Sequence, residues 1–200
     1  MARRKPDATT PGPAVTDPSV AVDPEARGRQ ICLRLLTLAP RTRVQLADAM
    51  RRRGIPDEVA DAILDRLTDA GLINDAAFAK AWVESRHYAR GLSRKSLSAE
   101  LRNRGVDGDD IAEAVETLDP EQETETARRL VARKIAATRG QPAEARARRV
   151  AGMLARKGYP AALAFRLIRE ALEQEGAEEF GADDLETELS DAELSAYDPG

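Results

Sequence analysis

One device recurs three times along this chain and narrows what it can fold into. A helical run ends in glycine, an apolar residue follows directly, and another apolar residue lies four positions before. The triplets are Met50–Gly54–Ile55, Leu101–Gly105–Val106 and Leu154–Gly158–Tyr159. Just past a helix the backbone often turns left-handed, where a Cβ clashes and glycine does not. The apolar pair then closes the hydrophobic contact of a Schellman motif. Leu46, Leu97 and Val150 stand eight residues before their glycines, and the glycines are 51 and 53 residues apart. Beyond each glycine come matching four-residue apolar steps: Val59 and Ile63, Ile111 and Val115, Leu163 and Leu167. The pattern predicts an all-α fold of three tandem three-helix repeats.

The best-marked copy is the stretch Asp75–Gly105, which holds the chain's only Trp and only His. Asp75 is expected to cap a helix. Phe78 and Trp82, four apart, share one face, continued by Ala81, Ser85 and Ala89. Gly91 breaks that helix, Ser93 caps the next, and Leu92 can staple onto Leu97. Leu97 and Leu101 then form the buried stripe.

Residues 1–25 carry five prolines and no helical period, and are expected to be disordered. Repeat 1 is expected over 26–74. Its first helix runs from about Ala26 to Leu38, with Ile31, Leu35 and Leu38 on one face beside Cys32, and Pro40 ends it. Thr42 and Gln45 have the spacing of a capping box. Repeat 2 is expected over 75–119 and repeat 3 over 120–175. Each helix is too short to persist alone in water, so each repeat is expected to lean on its neighbour in an elongated, curved array.

A net charge of −4 hides a segregation. Residues 176–200 hold nine Asp or Glu and no Lys or Arg, so residues 1–175 carry +5. The body is mildly basic; the acidic tail is expected to be disordered and to screen that body, to compete with DNA by mimicking phosphate, or to keep the chain in solution. One cysteine precludes an internal disulfide, and Cys32 lies on an apolar face, as free cysteines commonly do. Neither a membrane-spanning run nor a signal-peptide core is present, so a cytoplasmic protein is expected.

No catalytic signature stands out. One His and one Cys are too few for an ordinary zinc site, and there is no phosphate-binding GxxxxGK[ST] loop. No enzyme, cofactor or metal is expected; His87 reads as a surface ring. The candidates for partner or DNA binding are cations: Arg51, Arg52, Arg53, Arg86, Arg90, Arg94, Lys95, Arg102 and Arg104. Those in a last helical turn, a group that includes Arg156 and Lys157 before Gly158, are also favoured by the helix dipole. Arg94 and Lys95 sit at a helix start, where the dipole disfavours them, and an anionic partner would explain the placement. For Arg86, packing on Trp82 or pairing with Glu100 is the expected role.

Residues 45–75 also have the outline of a winged helix-turn-helix. Its would-be recognition helix, 56–70, is acidic, and Asp75 starts a helix where a wing hairpin should come. The run from Ile31 to Gly105, above all Asp75, Phe78, Ala79, Trp82 and Arg86 followed by Gly91, Glu100, Leu101 and Gly105, instead resembles the RecX family of bacterial regulators. The resemblance spans about residues 28–172 and is weaker in the third repeat. It implies three three-helix repeats in an elongated, curved protein and binding to the RecA recombinase, especially its filament on single-stranded DNA; a monomer is expected. It further implies modulation, mostly inhibition, of that recombinase's ATPase, strand-exchange and co-protease activities. General nucleic-acid binding and a helical adaptor for an unrelated protein are the alternatives. If Arg90, Arg94 and Lys95 touch the filament, reversing their charges is expected to weaken inhibition and leave helicity unchanged.

Overall fold

In a computed structural model, residues 23–176 are described. Among them are nine α-helices and no strand: α1 (Pro24–Leu38), α2 (Arg43–Arg51), α3 (Asp57–Asp69), α4 (Asp75–Arg90), α5 (Arg94–Arg102), α6 (Gly108–Glu116), α7 (Pro120–Ala136), α8 (Ala143–Arg156) and α9 (Ala161–Gln174). The helix pairs in extensive contact all lie within α1–α3, within α4–α6 or within α7–α9. The expected three-helix repeats are therefore present, each with its own apolar cluster.

The middle helix is the centre of each cluster. Leu46 and Met50, Leu97 and Leu101, and Val150 and Leu154 are all 0% exposed. Each such leucine contributes roughly 1.5–3 kcal/mol by leaving water. The three glycine turns close as anticipated. Ile55, Val106 and Tyr159 donate their N–H to the carbonyls of Met50 (3.2 Å), Leu101 (3.3 Å) and Leu154 (3.1 Å). The Thr42–Gln45 capping box forms in both directions, at 3.3 and 3.2 Å.

Some expectations shift. The first helix starts at Pro24, because the Asp23 carboxylate accepts the N–H groups of Glu25 and Ala26. Residues 1–22 and 177–200, with the disorder expected of them, lie outside the described part. In α1 the buried line is Gly28–Cys32, and Leu38 is 72% exposed. Gly28 sets this rotation, since a Cβ there would lie 2.6 Å from Ile63 Cδ1. Leu38, six residues past Cys32, then points about 120° away. In α4 the core residues are Ala79 and Val83. Phe78 and Trp82 are half-buried, and Ala81, Ser85 and Ala89 are exposed. The small pair Ala79 and Ala114, each 0% exposed within one cluster, lets α4 and α6 approach closely. A buried arginine, Arg146 (6% exposed), closes repeat 3, donating to the Ile135 carbonyl at 2.9 Å and to the Glu175 carboxylate. That donation holds the Glu175 carboxyl below its ordinary range.

The repeats do not share one continuous apolar core, as a stack of dependent units would. Three helices suffice to enclose each cluster, and the junctions are largely polar. Both junctions use one scheme, in which the glycine turn of a repeat sits on the N-terminus of the preceding repeat's middle helix. At the first, Thr42 Oγ1 donates to the Arg104 carbonyl (2.7 Å), and the Arg43 N–H donates to the Asp75 carboxylate (3.0 Å). At the second, the Ser93 N–H donates to the Lys157 carbonyl (2.9 Å), and the Arg94 N–H donates to Glu123 (2.9 Å). Asp75 thus caps α2 and not its own helix, whose cap is Asn74 accepting from the Ala77 N–H at 2.8 Å. An orphan N–H at the start of α2 is the reason. Burial raises the Asp75 carboxyl above its ordinary range, against the lowering effect of the Arg43 N–H.

Alanine substitutions at the three glycines should separate turn from junction. All three have φ between 73° and 80°, but a Cβ at Gly54 meets nothing within 4 Å. At Gly105 it would lie 2.5 Å from Val44 Cβ, and at Gly158 it would lie 2.2 Å from Ser96 Oγ. Gly54→Ala should cost about 1–2 kcal/mol, the left-handed penalty alone. Gly105→Ala and Gly158→Ala should each cost more, measured by urea unfolding.

Candidate functional site

The structure divides the nine candidate cations. Arg86 and Arg104 lie over the Trp82 ring, their Cζ atoms 4.2 and 3.7 Å from its centroid, and Phe78 stacks on it at 5.6 Å. Trp82 Nε1 donates to Glu100 (2.8 Å), Arg86 pairs with Glu100 (3.7 Å), and Arg104 Nη1 donates to the Glu100 carbonyl (2.8 Å). Both roles expected for Arg86 are therefore present together. Burial lowers the Arg104 guanidinium from its ordinary range.

Arg94 is also internal. It donates to the Leu118 carbonyl and lies 3.7 Å from Glu123, the carboxylate that caps its own helix. A cation at this helix start thus needs no external anion, because repeat 3 supplies one. Arg51 pairs with Asp48 (2.9 Å) and Asp57 (3.3 Å), and Arg53 donates to the Ala49 carbonyl (2.9 Å). The side chains of Arg52, Arg90, Lys95 and Arg102 are exposed and make no hydrogen bond or ion pair among the described residues. The expected ridge of Arg90, Arg94 and Lys95 is accordingly split.

Arg90 belongs to a different group. The end of α4, one face of α7 from Glu121 to Arg133 and the end of α8 line a cleft of about 1200 Å³ between repeats 2 and 3. Five cations line it: Arg90, Arg129, Arg133, Arg156 and Lys157. Gly91 lets the walls meet, for a Cβ there would lie 2.9 Å from Leu130 Cδ1. His87 is not a surface ring. Its Nδ1 lies 2.9 Å from the Leu92 carbonyl and its Nε2 lies 2.9 Å from Thr126 Oγ1. Since a carbonyl only accepts, Nδ1 carries the proton, and Nε2 accepts from the Thr126 hydroxyl when the ring is neutral. Tyr159 donates to the Gly91 carbonyl (3.1 Å), and burial raises its hydroxyl above the usual tyrosine range. Tyr88, on the rim, is 93% exposed.

The charge of this cleft is not cancelled locally. Its acids are Glu121 and Glu125, and Glu125 pairs with Arg128 at 3.0 Å. Arg90, Arg133 and Arg156 have no side-chain partner among the described residues. Lys157 Nζ donates to the Arg90 carbonyl. Burial, and then the like charges of Arg133 and Arg90, lower the Lys157 ammonium below its ordinary range. Guanidinium forks at such a site suit bidentate phosphate or carboxylate. Among the described residues no cluster of His, Cys, Asp and Glu could hold a metal, and no helix is long and apolar enough to cross a membrane.

Arg129 and Arg133 are absent from the candidates drawn from sequence, whereas Arg156 and Lys157 are among the helix-end cations noted there. Arg156 and Lys157 precede a helix-ending glycine, where the dipole explains them equally well. Arg129 and Arg133 lie four apart on a helix and therefore on one face, the only signal the sequence offers.

Family models for the first, second and third three-helix domains of RecX match residues 29–67, 74–115 and 121–168. The chain is 63% identical over 153 residues to regulatory protein RecX of Thermobifida fusca, covering 76% of this chain and 83% of that one. It is 60% identical over 154 residues to regulatory protein RecX of Streptomyces lividans, covering 77% and 82%. The crystal structure of RecX from Lactobacillus salivarius superposes with a TM-score of 0.67 at 21% identity, over 75% of this chain and 97% of that one, a likeness of fold.

The like-charge crowding can be checked at Lys157. Arg133→Ala should raise its ammonium pKa, followed by NMR titration of the lysine side chain. Because folding lowers that pKa, the contribution of Lys157 to stability is unfavourable at neutral pH. It should become less so as pH rises through the folded value towards 10.5, the ordinary one.

Proposed function

The chain belongs to the RecX family of regulatory proteins, and on that footing we propose that it regulates the RecA recombinase. In this reading it binds the filament that the recombinase forms on single-stranded DNA. There it inhibits ATPase, strand-exchange and co-protease activities, and so bears on homologous recombination, DNA repair and the SOS response. It acts as a cytoplasmic monomer, without a cofactor, and as a regulator instead of an enzyme. The observation that carries the reading is the set of three RecX domains in tandem, with a cleft of unpaired cations at their second junction.

The physical case rests on geometry and charge. A filament on single-stranded DNA presents phosphates at regular intervals along a groove. Repeats joined in series can follow such a groove where a ball cannot. Arg90, Arg133, Arg156 and Lys157 offer donors for phosphate or carboxylate, and Tyr88 offers a face on which a base can stack. Lys95 and Arg102 are further exposed cations on repeat 2. Direct action on DNA is the second reading, favoured by the same cleft, and would make affinity fall steeply with salt.

The test is the recombinase's ATPase on single-stranded DNA with this protein titrated in. Wild type should inhibit. Arg90→Glu combined with Arg133→Glu and Arg156→Glu should weaken inhibition by an order of magnitude or more with unchanged helicity by circular dichroism. Arg51→Glu, which breaks only the local surface pairs with Asp48 and Asp57, should inhibit like wild type. Absence of inhibition by the folded wild type would refute the proposal.

A further inference from the structure

The cationic cleft needs a counter-charge, and the chain carries one. Residues 177–200 hold nine carboxylates, from Glu178 to Asp198, and no Lys or Arg. The last described residues place their starting point. Glu175 receives Arg146 near the start of α8, and the end of the same helix carries Arg156 and Lys157 into the cleft. The ten residues between Arg146 and Arg156 rise about 15 Å. Twenty-four further residues can span up to roughly 80 Å. The segment therefore reaches the cleft with much of its length to spare.

We infer that the acidic segment 177–200 docks in the cleft between repeats 2 and 3, its carboxylates pairing with Arg90, Arg129, Arg133, Arg156 and Lys157. It occupies the place of a phosphate backbone and must be displaced before an external polyanion binds. Three observations support this occupant. The cleft's cations exceed its acids, and Arg90, Arg133 and Arg156 lack partners among the described residues. The segment has the opposite charge at high density and cannot leave the vicinity of the cleft. Tethering supplies an effective concentration in the millimolar range, enough for weak pairs to compete. Burial, and then the like charges of Arg133 and Arg90, lower the Lys157 ammonium, and a docked carboxylate would oppose that lowering. The consequence for regulation rests on the function proposed above, whereas the contact itself does not.

Zero-length carbodiimide coupling of the full chain tests the contact without recombinase or DNA. The reagent joins a lysine amine to a carboxylate already beside it, and Lys157 is the one lysine in the cleft. The Lys80–Glu113 pair, at 2.6 Å, is an internal control that should couple in any case. No Lys or Arg follows Arg169, so residues 170–200 emerge from trypsin as one peptide. The expected product joins Lys157 to a carboxylate within 177–200 of the same molecule and disappears at high salt, since exposed pairs are screened. A control product without a Lys157 product overturns the inference, as does a Lys157 product found only between isotopically distinct chains. A second readout uses a full-length variant with all nine carboxylates of 177–200 replaced by amides. It should bind a fluorescent oligo-dT several-fold more tightly than wild type at low salt. Equal affinities would mean that the segment does not compete for the cleft.

Discussion

Everything in this array depends on how one repeat seats on the next. A glycine turn, stripped of its Cβ, lies against the N-terminus of the preceding middle helix, whose first N–H groups have no partner within their own helix. The turn and the acid beside it answer those groups. At the first junction the pieces are Gly105, Thr42 and Asp75; at the second they are Gly158, Ser93 and Glu123. The same glycine ends its own helix and makes room for its neighbour. A side chain at either position would strain the turn and push the repeats apart.

The energies differ in kind on the two sides of each junction. Inside a repeat, several fully buried Leu, Ile and Val residues contribute roughly 1.5–3 kcal/mol each. Across a junction the connections are mostly single hydrogen bonds, each with a net value of about 0.5–1.5 kcal/mol. The repeats are thus the firm units, and their mutual placement is held more lightly. A protein built this way can adjust to a long partner at its joints without unfolding its cores.

Charge follows the same division. Arg86, Arg94 and Arg104 are consumed by the fold, over Trp82 or against Glu123. Five cations gather where repeats 2 and 3 meet, because the end of α4 and the end of α8 bring Arg90, Arg156 and Lys157 to the same face as Arg129 and Arg133 of α7. Burial, and then the like charges of Arg133 and Arg90, lower the Lys157 ammonium, and the cluster suits an anion.

The local devices were legible in the sequence because they depend on neighbours along the chain. Gly54, Gly105 and Gly158 announced their turns, Thr42 and Gln45 their capping box, and the apolar spacing the inward faces of the middle helices. The RecX resemblance was legible in residues 75–105 for the same reason. Helix rotation was less so, as Leu38 and Ala81 show, because closest approach is set by small residues such as Gly28 and Ala79. What only the tertiary structure decided was partnership across repeats. Asp75 serves α2, His87 bridges to Thr126, Arg94 finds Glu123, and Lys157 comes beside Arg90 from 67 positions away. Periodicity reports which side of a helix is apolar. It holds no information on which charged side chains distant in sequence come to face one another, since that depends on how the finished repeats are turned.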